Sequence, residues 1–268
     1  MTDNPSIWRL IPLLEAPGHV HMAIDRWLLE QHRLGLHPPT LRFYTWSPPA
    51  ISLGYHQKRW LPHWQNLTWR GQSVELVRRP TGGRAVLHCG DLTYAVVMSP
   101  EGQNRMQSYR SICEFLIEGW RTFGVELRYG SDLDYTRSPN CFATATSADL
   151  VDTTGAKFIG SAQLRREKAT LQHGSIGLAP DIALFSQVFG SDELPLLRPL
   201  TDQITDIVEA LTAAASRCFG VRFVTEPLSE LEWQAVSREV PLLRVPELIP
   251  EVRAPKSRDG EPLKPGVN

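Results

Sequence analysis

Three groups of residues in this chain have the types and spacing that chemistry requires. The first is Arg78-Arg79-Pro80-Thr81-Gly82-Gly83-Arg84-Ala85-Val86-Leu87-His88. Paired glycines let a backbone take positive φ and approach a ligand closely, and their amides can point at an anion or a carbonyl oxygen. The arginines add charged, planar donors. By composition alone the stretch reads as an ordinary hairpin turn with exposed arginines. The second group is Ser138-Pro139-Asn140-Cys141-Phe142, a cysteine in a polar loop. The third is Lys157-Phe158-Ile159-Gly160-Ser161-Ala162-Gln163, in which a lysine opens an apolar strand and small residues follow. Taken singly, such a cysteine is a passive small side chain and such a lysine snorkels to solvent. A thiolate is the nucleophile, a free thiol titrates near roughly 8.5, and a neighbouring ammonium favours its ionisation. His88 and His173 are further candidates to touch a ligand, although each also fits a packing role.

Those groups need a scaffold. Helical spacing of Met22, Ile24, Trp27, Leu28 and Gln31 predicts a helix over 18–34, stopped by Gly35. Strands are expected over 41–46 and 50–54, with Pro48-Pro49 between them. Val74–Val77 and Leu92–Met98 are apolar strand signals on either side of the glycine loop. A helix is expected over 108–123, ended by Gly124, with short strands at 125–129 and 149–152. Residues 158–164 and 170–176 pair as a hairpin, with Arg165-Arg166-Glu167-Lys168 as its turn. Helices follow over 182–189, 204–219 and 229–240. Strands lie among helices without regular βαβ alternation, so the expected class is α+β, a mixed and largely antiparallel sheet flanked by helices.

Composition removes several function classes. The chain has 268 residues, 42% of them hydrophobic, and a formal net charge of −1, which gives no reason to expect nucleic acid or an anionic membrane as partner. It lacks the roughly 18 consecutive apolar residues of a membrane span, and its first residues do not resemble a signal peptide. The cysteines Cys89, Cys113, Cys141 and Cys218 form no CxxC, so neither a metal site nor a disulfide framework is expected. A cytoplasmic compartment fits reduced thiols. Residues 1–240 read as a single catalytic domain. Residues 241–268, in which Pro246, Pro250, Pro255, Pro262 and Pro265 follow Pro241, read as an extended or disordered tail.

Arg78-Arg79-x-Thr-Gly-Gly-x-Ala-Val-x-His88 together with Lys157-x-x-Gly-Ser-Ala-Gln163 resembles the lipoate–protein ligase and octanoyltransferase superfamily. Met22-Ala23-Ile24-Asp25, Ser52-Leu53-Gly54-Tyr55-His56-Gln57 and Leu171-Gln172-His173-Gly174-Ser175-Ile176 resemble further family segments in the same order. The resemblance implies the biotin/lipoate ligase catalytic-domain fold, with an acyl group bound beside the Gly82-Gly83 loop. Two chemistries compete within it: ATP-dependent activation of free lipoate, and transfer of octanoyl from acyl carrier protein to a lipoyl-domain lysine. Cys141-Phe142 stands where one transferase branch has its cysteine, and Asp91-Leu92-Thr93-Tyr94-Ala95-Val96 resembles that branch's continuation. Arg84 replaces the third glycine typical of ligases, while Cys89 departs from the aspartate that commonly follows the histidine.

The resemblance therefore implies an octanoyltransferase with Cys141 and Lys157 as catalytic residues and no cofactor. Arg78, Arg79, Thr81, Gly82, Gly83, Arg84, His88, Gly160, Ser161, Ala162, Gln163 and His173 are its expected substrate-binding residues. The implied donor is octanoyl-acyl carrier protein. The implied acceptor is a lipoyl domain, of the glycine-cleavage H protein or a dehydrogenase E2. Lipoate ligation, octanoyl transfer between lipoyl domains, and non-catalytic acyl or carrier-protein binding are the alternatives. Small side chains at 160–162 are expected to leave room for the acyl tail.

Overall fold

The computed structural model describes residues 5–130, 149–190, 203–243 and 245. Its largest sheet has eight strands. They are β1 (Ser6–Ala16), β2 (Thr40–Trp46), β8 (Asp91–Met98), β9 (Arg128–Tyr129), β10 (Asp149–Val151), β11 (Lys157–Arg166), β12 (Ala169–Gly177) and β13 (Val221–Thr225), in the order β13-β1-β2-β8-β12-β11-β10-β9. The two pairings of β1 are parallel and the rest antiparallel, so the sheet is mixed and largely antiparallel as expected. Strand β3 (Ala50–Leu53) is the middle of a second sheet, flanked by β6 (Glu75–Arg78) and β7 (Val86–His88). A two-stranded ribbon, β4 (Thr68–Trp69) with β5 (Gln72–Ser73), extends from it in sequence.

Helices cover both faces of the large sheet. On one face, Ile112, Phe115 and Trp120 of α2 (Arg105–Arg121) and Leu211 and Ala215 of α4 (Ile204–Phe219) pack on Leu41, Phe43, Tyr94 and Val96. On the other, Met22, Ile24 and Leu28 of α1 (Gly18–Arg33) and Val236 of α5 (Glu230–Glu239) pack on Tyr44, Ala95, Val97 and Leu171. Alternate residues of β2 and β8 thus serve opposite cores, which is why both strands are apolar on both faces. Helix α3 (Ile182–Phe189) closes the small sheet through Leu184, Phe185 and Val188. Among the described residues no helix is long and apolar enough to cross a membrane.

The glycine stretch is not a hairpin turn. Strands β6 and β7 do not pair with each other; both pair with β3, one parallel and one antiparallel, so residues 79–85 cross over the end of β3. At that end sits Gly54, where a Cβ would lie 1.9 Å from the Gly83 carbonyl oxygen. Only glycine permits that approach. Gly83 has φ +97, a conformation open to glycine at little cost.

The expected hairpin is present with eight register pairs from Ile159↔Ile176 to Arg166↔Ala169. Its turn is tighter than expected, with Arg165 and Arg166 inside β11 and Glu167 taking φ +52. Strands β1, β4, β5, β7 and β13 were not foreseen. β1 contains Pro12, which breaks the alternation and lies at a register shift between Ile11 and Leu14, where proline is tolerated. β13 is a short edge strand whose exposed residues give no strand pattern. The packed chain also passes the expected boundary at residue 240. Leu243 is buried in the α1–α5 core, and its carbonyl accepts from Arg78 N at 3.0 Å. Residues 246–268 lie outside the described residues.

Candidate active site

One row of residues runs across the large sheet in register: Asp149 on β10, Gly160 on β11, Ser175 on β12, Thr93 on β8 and Tyr44 on β2. All five line a cleft of about 540 Å³ of atom-free space, counting its open mouth. Strand spacing makes the row about 19 Å long. The Gly83 loop, Val86 and Ser52 form its other wall, and Met22 of α1 contributes from the side.

At one end of the row Lys157 Nζ donates to Asp149 Oδ1 at 2.8 Å, with both side chains buried. The lysine reaches this position because residue 160 is glycine. A Cβ there would lie 2.7 Å from Lys157 Cε and 3.0 Å from Nζ. The room at Gly160 is thus occupied by the lysine stem, not left for an acyl tail as the sequence suggested. A buried ammonium held in place beside a carboxylate can donate to a developing oxyanion with no reorganisation at the moment of reaction.

At the other end the Trp46 indole stacks on His88 with ring centroids 3.7 Å apart. His88 Nδ1 lies 2.8 Å from Asp91 Oδ2, and a carboxylate only accepts, so Nδ1 carries the proton. Burial pushes the His88 pKa down despite Asp91, leaving Nε2 to accept from the Ser52 hydroxyl at 2.8 Å. Ser175 and Thr93 also donate to Asp91 Oδ2, at 2.6 and 3.2 Å. Arg79 is buried and ties this end to the loop. Its guanidinium donates to the carbonyls of Ser52, Gly82 and Arg84 at 2.6–3.1 Å and to Ser52 Oγ at 3.1 Å.

Below the cleft lies a buried charge cluster. Asp25 on α1 pairs with Arg42 on β2 at 2.8 Å, both fully buried, and accepts from Tyr44 Oη at 2.9 Å. Burial alone would raise the Asp25 pKa, yet Arg42, His173 and Tyr44 together hold it below the usual carboxylate range. His173 Nδ1 donates to Asp25 Oδ2 at 2.7 Å, and its Nε2 faces Thr81 Oγ1 at 2.6 Å. Helix α1 is thereby connected to the glycine loop through one histidine. His21 sits beside Arg42, with Nε2–H donating to the Thr45 carbonyl and Nδ1 accepting from Arg42 Nη2. Burial and the adjacent guanidinium lower its pKa to about 3.

Eight of the expected site residues line the cleft: Arg79, Gly83, His88, Lys157, Gly160, Ser161, Ala162 and His173. The other described ones do not. Arg78 donates to the carbonyls of Gly54, Tyr55 and Gln57 at 2.8–3.3 Å, bracing that loop. Thr81 stands behind His173, and Gly82 and Arg84 offer their carbonyls to Arg79. The Gln163 amide donates to Gln172 Oε1 and Ser108 Oγ. Cys141 lies outside the described residues.

The family described as the lipoyl protein ligase A/B catalytic domain matches residues 17–216, a span that contains every element of this cleft. The chain belongs to that family. Among its relatives, octanoyltransferase LipM of Geobacillus kaustophilus is 39% identical over 196 residues, which cover 68% of this chain and 69% of the relative. Octanoyltransferase LipM of Symbiobacterium thermophilum is 39% identical over 217 residues, covering 76% and 78%. A T. acidophilum protein assigned as a lipoate protein ligase, solved with bound lipoic acid, superposes with a TM-score of 0.72 at 25% identity, over 86% of this chain and 93% of that one. A lipoate-protein ligase A bound with ATP gives a TM-score of 0.71 at 24% identity, over 87% and 94%, and shares the fold.

Within this lipoyl ligase family member, sequence reasoning missed the acidic partners of the site. Asp149 was read only as the start of a short strand, Asp25 and Asp91 only as parts of family-like segments. A signal existed for Asp25 and Arg42: opposite charges at interior positions of an apolar helix stripe and an apolar strand. Charges so placed are paired or they do not persist.

The buried histidines also set an acid limit. His21 and His88 are held neutral in the fold and become charged in the unfolded chain below about pH 6.5. The unfolded state therefore binds more protons there. This contribution is complete above that pH and falls as pH drops towards the folded value of about 3 for His21. We expect stability to decline by roughly 1 kcal/mol per pH unit for His21 alone between pH 6 and 4. Urea denaturation across that range measures it. A flat profile, or a slope unchanged in His21→Gln, would contradict the assignment.

Proposed function

We propose that this chain is an octanoyltransferase that moves octanoyl from acyl carrier protein to a lipoyl-domain lysine through a thioester on Cys141. The observation that carries the reading is the Lys157–Asp149 pair at one end of the cleft floor. An extended eight-carbon chain is roughly 9 Å long at about 1.5 Å per bond. That is about half of the row's length, so a chain with its carbonyl at Lys157 fits within the row. The identity of 39% with two octanoyltransferases supports the same activity.

In the first step the Cys141 thiolate attacks the donor's thioester carbonyl. A new C–S bond forms, Lys157 donates to the oxyanion, and the carrier thiolate leaves with a proton from solvent. In the second step the deprotonated acceptor lysine attacks the Cys141 thioester. The amide forms, Cys141 leaves as thiolate, and the amine's remaining proton goes to solvent. No ATP enters, because a thioester is already activated. Two features agree with the cysteine's role. Gly130 N donates to the Asp149 carbonyl at 2.9 Å, so the described residues that flank the Cys141 stretch in sequence meet beside the Lys157–Asp149 pair. The described cysteines do not line the cleft, and burial pushes the thiols of Cys89 and Cys218 up and that of Cys113 up to about 12. A cytoplasmic location belongs to this reading.

Intact-mass measurement after incubation with octanoyl-acyl carrier protein tests it. Wild type is expected to gain one octanoyl group, removable by hydroxylamine, and Cys141→Ala to gain none. Full transfer by Cys141→Ala would overturn the scheme. Pyrophosphate release from lipoate and ATP would favour ligation instead, and loading from an octanoylated lipoyl domain alone would favour transfer between lipoyl domains.

A further inference from the structure

The charge of this chain is distributed unevenly. Between Tyr55 and Arg84 it carries six cations, Lys58, Arg59, Arg70, Arg78, Arg79 and Arg84, against the single carboxylate Glu75, while the whole chain has a formal net charge of −1. That segment includes strand β6 of the small sheet and, through Arg79 and Gly83, part of one wall of the cleft. Arg78 donates to three carbonyl oxygens, which satisfy guanidinium donors without cancelling its charge. Arg70 meets Asp181 at 3.0 Å. Lys58 and Arg59 are exposed, and neither pairs with a carboxylate among the described residues.

The loop that carries these two cations is braced against the Gly83 wall of the cleft. Tyr55 N donates to the Thr81 carbonyl at 2.8 Å, Gln57 N turns back to the Gly54 carbonyl at 2.9 Å, and Arg78 grips three carbonyls of the same loop. Gly54 itself rests on the Gly83 carbonyl. The brace presents Tyr55 at 57% exposure and Leu61 at 39%, on either side of Lys58 and Arg59. An exposed aromatic and an exposed aliphatic side chain around two free cations make a surface suited to a protein partner with an acidic face.

We propose that the Tyr55–Leu61 loop is the docking surface for the acidic face of the carrier protein that delivers the acyl group. The inference rests on the octanoyl-transfer reading. Of the two macromolecules that visit this cleft, the donor brings its acyl group on an arm with an anionic phosphodiester, which a basic rim attracts. The acceptor brings a lysine, whose ammonium the same rim repels. Steering by such a rim acts on the rate of encounter and weakens with salt.

The test compares wild type with Lys58→Glu/Arg59→Glu by intact mass, one half-reaction at a time. The double variant is expected to load from octanoyl-carrier protein about 10–100-fold more slowly at low ionic strength, with the gap closing at high salt. Loading from octanoyl-pantetheine, which has neither carrier nor phosphate, is expected to be unchanged. So is transfer from preloaded enzyme to a lipoyl domain. Equal slowing with both donors would make the loop part of the acyl site, and slowing only of the transfer step would assign the surface to the acceptor; either overturns the proposal. Binding of the intact carrier protein, measured directly in both chains, separates this from the covalent scheme. Weaker binding by the double variant supports docking even where wild type forms no adduct, and equal or absent binding overturns it.

Discussion

Lys157→Met is expected to slow single-turnover octanoyl transfer by about 10²–10³-fold, the usual effect of removing one preorganised oxyanion donor. Methionine preserves most of the stem's volume, so the change removes the charge and its three donors and little packing. It also leaves the Asp149 carboxylate buried without its ammonium, which costs stability as well as activity. Two further variants separate these effects. Gly160→Ala keeps both charges but places a methyl 2.7 Å from Lys157 Cε, so the ammonium must move. Its transfer rate is expected to fall by at least about tenfold, because small misplacement of a catalytic group is costly, while its urea midpoint changes little. Asp149→Asn with Lys157→Met removes both charges and is expected to recover stability without activity. If Lys157→Met transfers octanoyl at close to the wild-type rate, the lysine is structural and the oxyanion is stabilised elsewhere.

Asp25→Ala is expected to destabilise the chain by about 3–5 kcal/mol, since it strands a fully buried guanidinium. Arg42 retains its contacts with the His21 carbonyl at 3.3 Å and His21 Nδ1 at 2.8 Å, but neither carries compensating charge. The variant also removes the acceptor of His173 Nδ1 and of the Tyr44 hydroxyl. Against a total of about 5–15 kcal/mol, such a loss brings the domain near its folding limit. Urea denaturation gives the value. Replacing both partners by apolar residues, Asp25→Leu with Arg42→Met, is expected to recover much of it, because the cost lies in the stranded charge more than in the absent pair. A loss below about 1 kcal/mol in Asp25→Ala would mean that Arg42 finds water or another acceptor. Activity is expected to fall further than folding explains, since His173 then no longer steadies Thr81 behind the glycine loop.

Periodicity gave the helices at 182–189 and 204–219 and the long hairpin, because their apolar residues face a core at constant spacing. It did not give β1, whose proline interrupts the pattern, or the role of the glycine stretch. A turn between two strand signals looks the same in sequence whether those strands pair with each other or with a third strand between them. Only the pairing of both with β3 distinguishes the two cases.

The amino-acid sequence by itself determined the α+β class, most of the element order and the family, since motif spacing and apolar periodicity are properties of the chain alone. It also supplied Cys141 as the nucleophile proposed for the reaction, a reading that rests on resemblance. Tertiary structure decided which charges meet. Asp25 and Arg42 are brought together by a helix laid across the sheet, and Asp149 and Lys157 by sheet register. It also divided the arginines. Arg78 and Arg79 brace loops, while Lys58 and Arg59 stay exposed with no carboxylate partner among the described residues. The physical reason is that a side chain's partners are set by strand pairing and packing at long range, whereas its local sequence specifies only its secondary structure and the face it occupies.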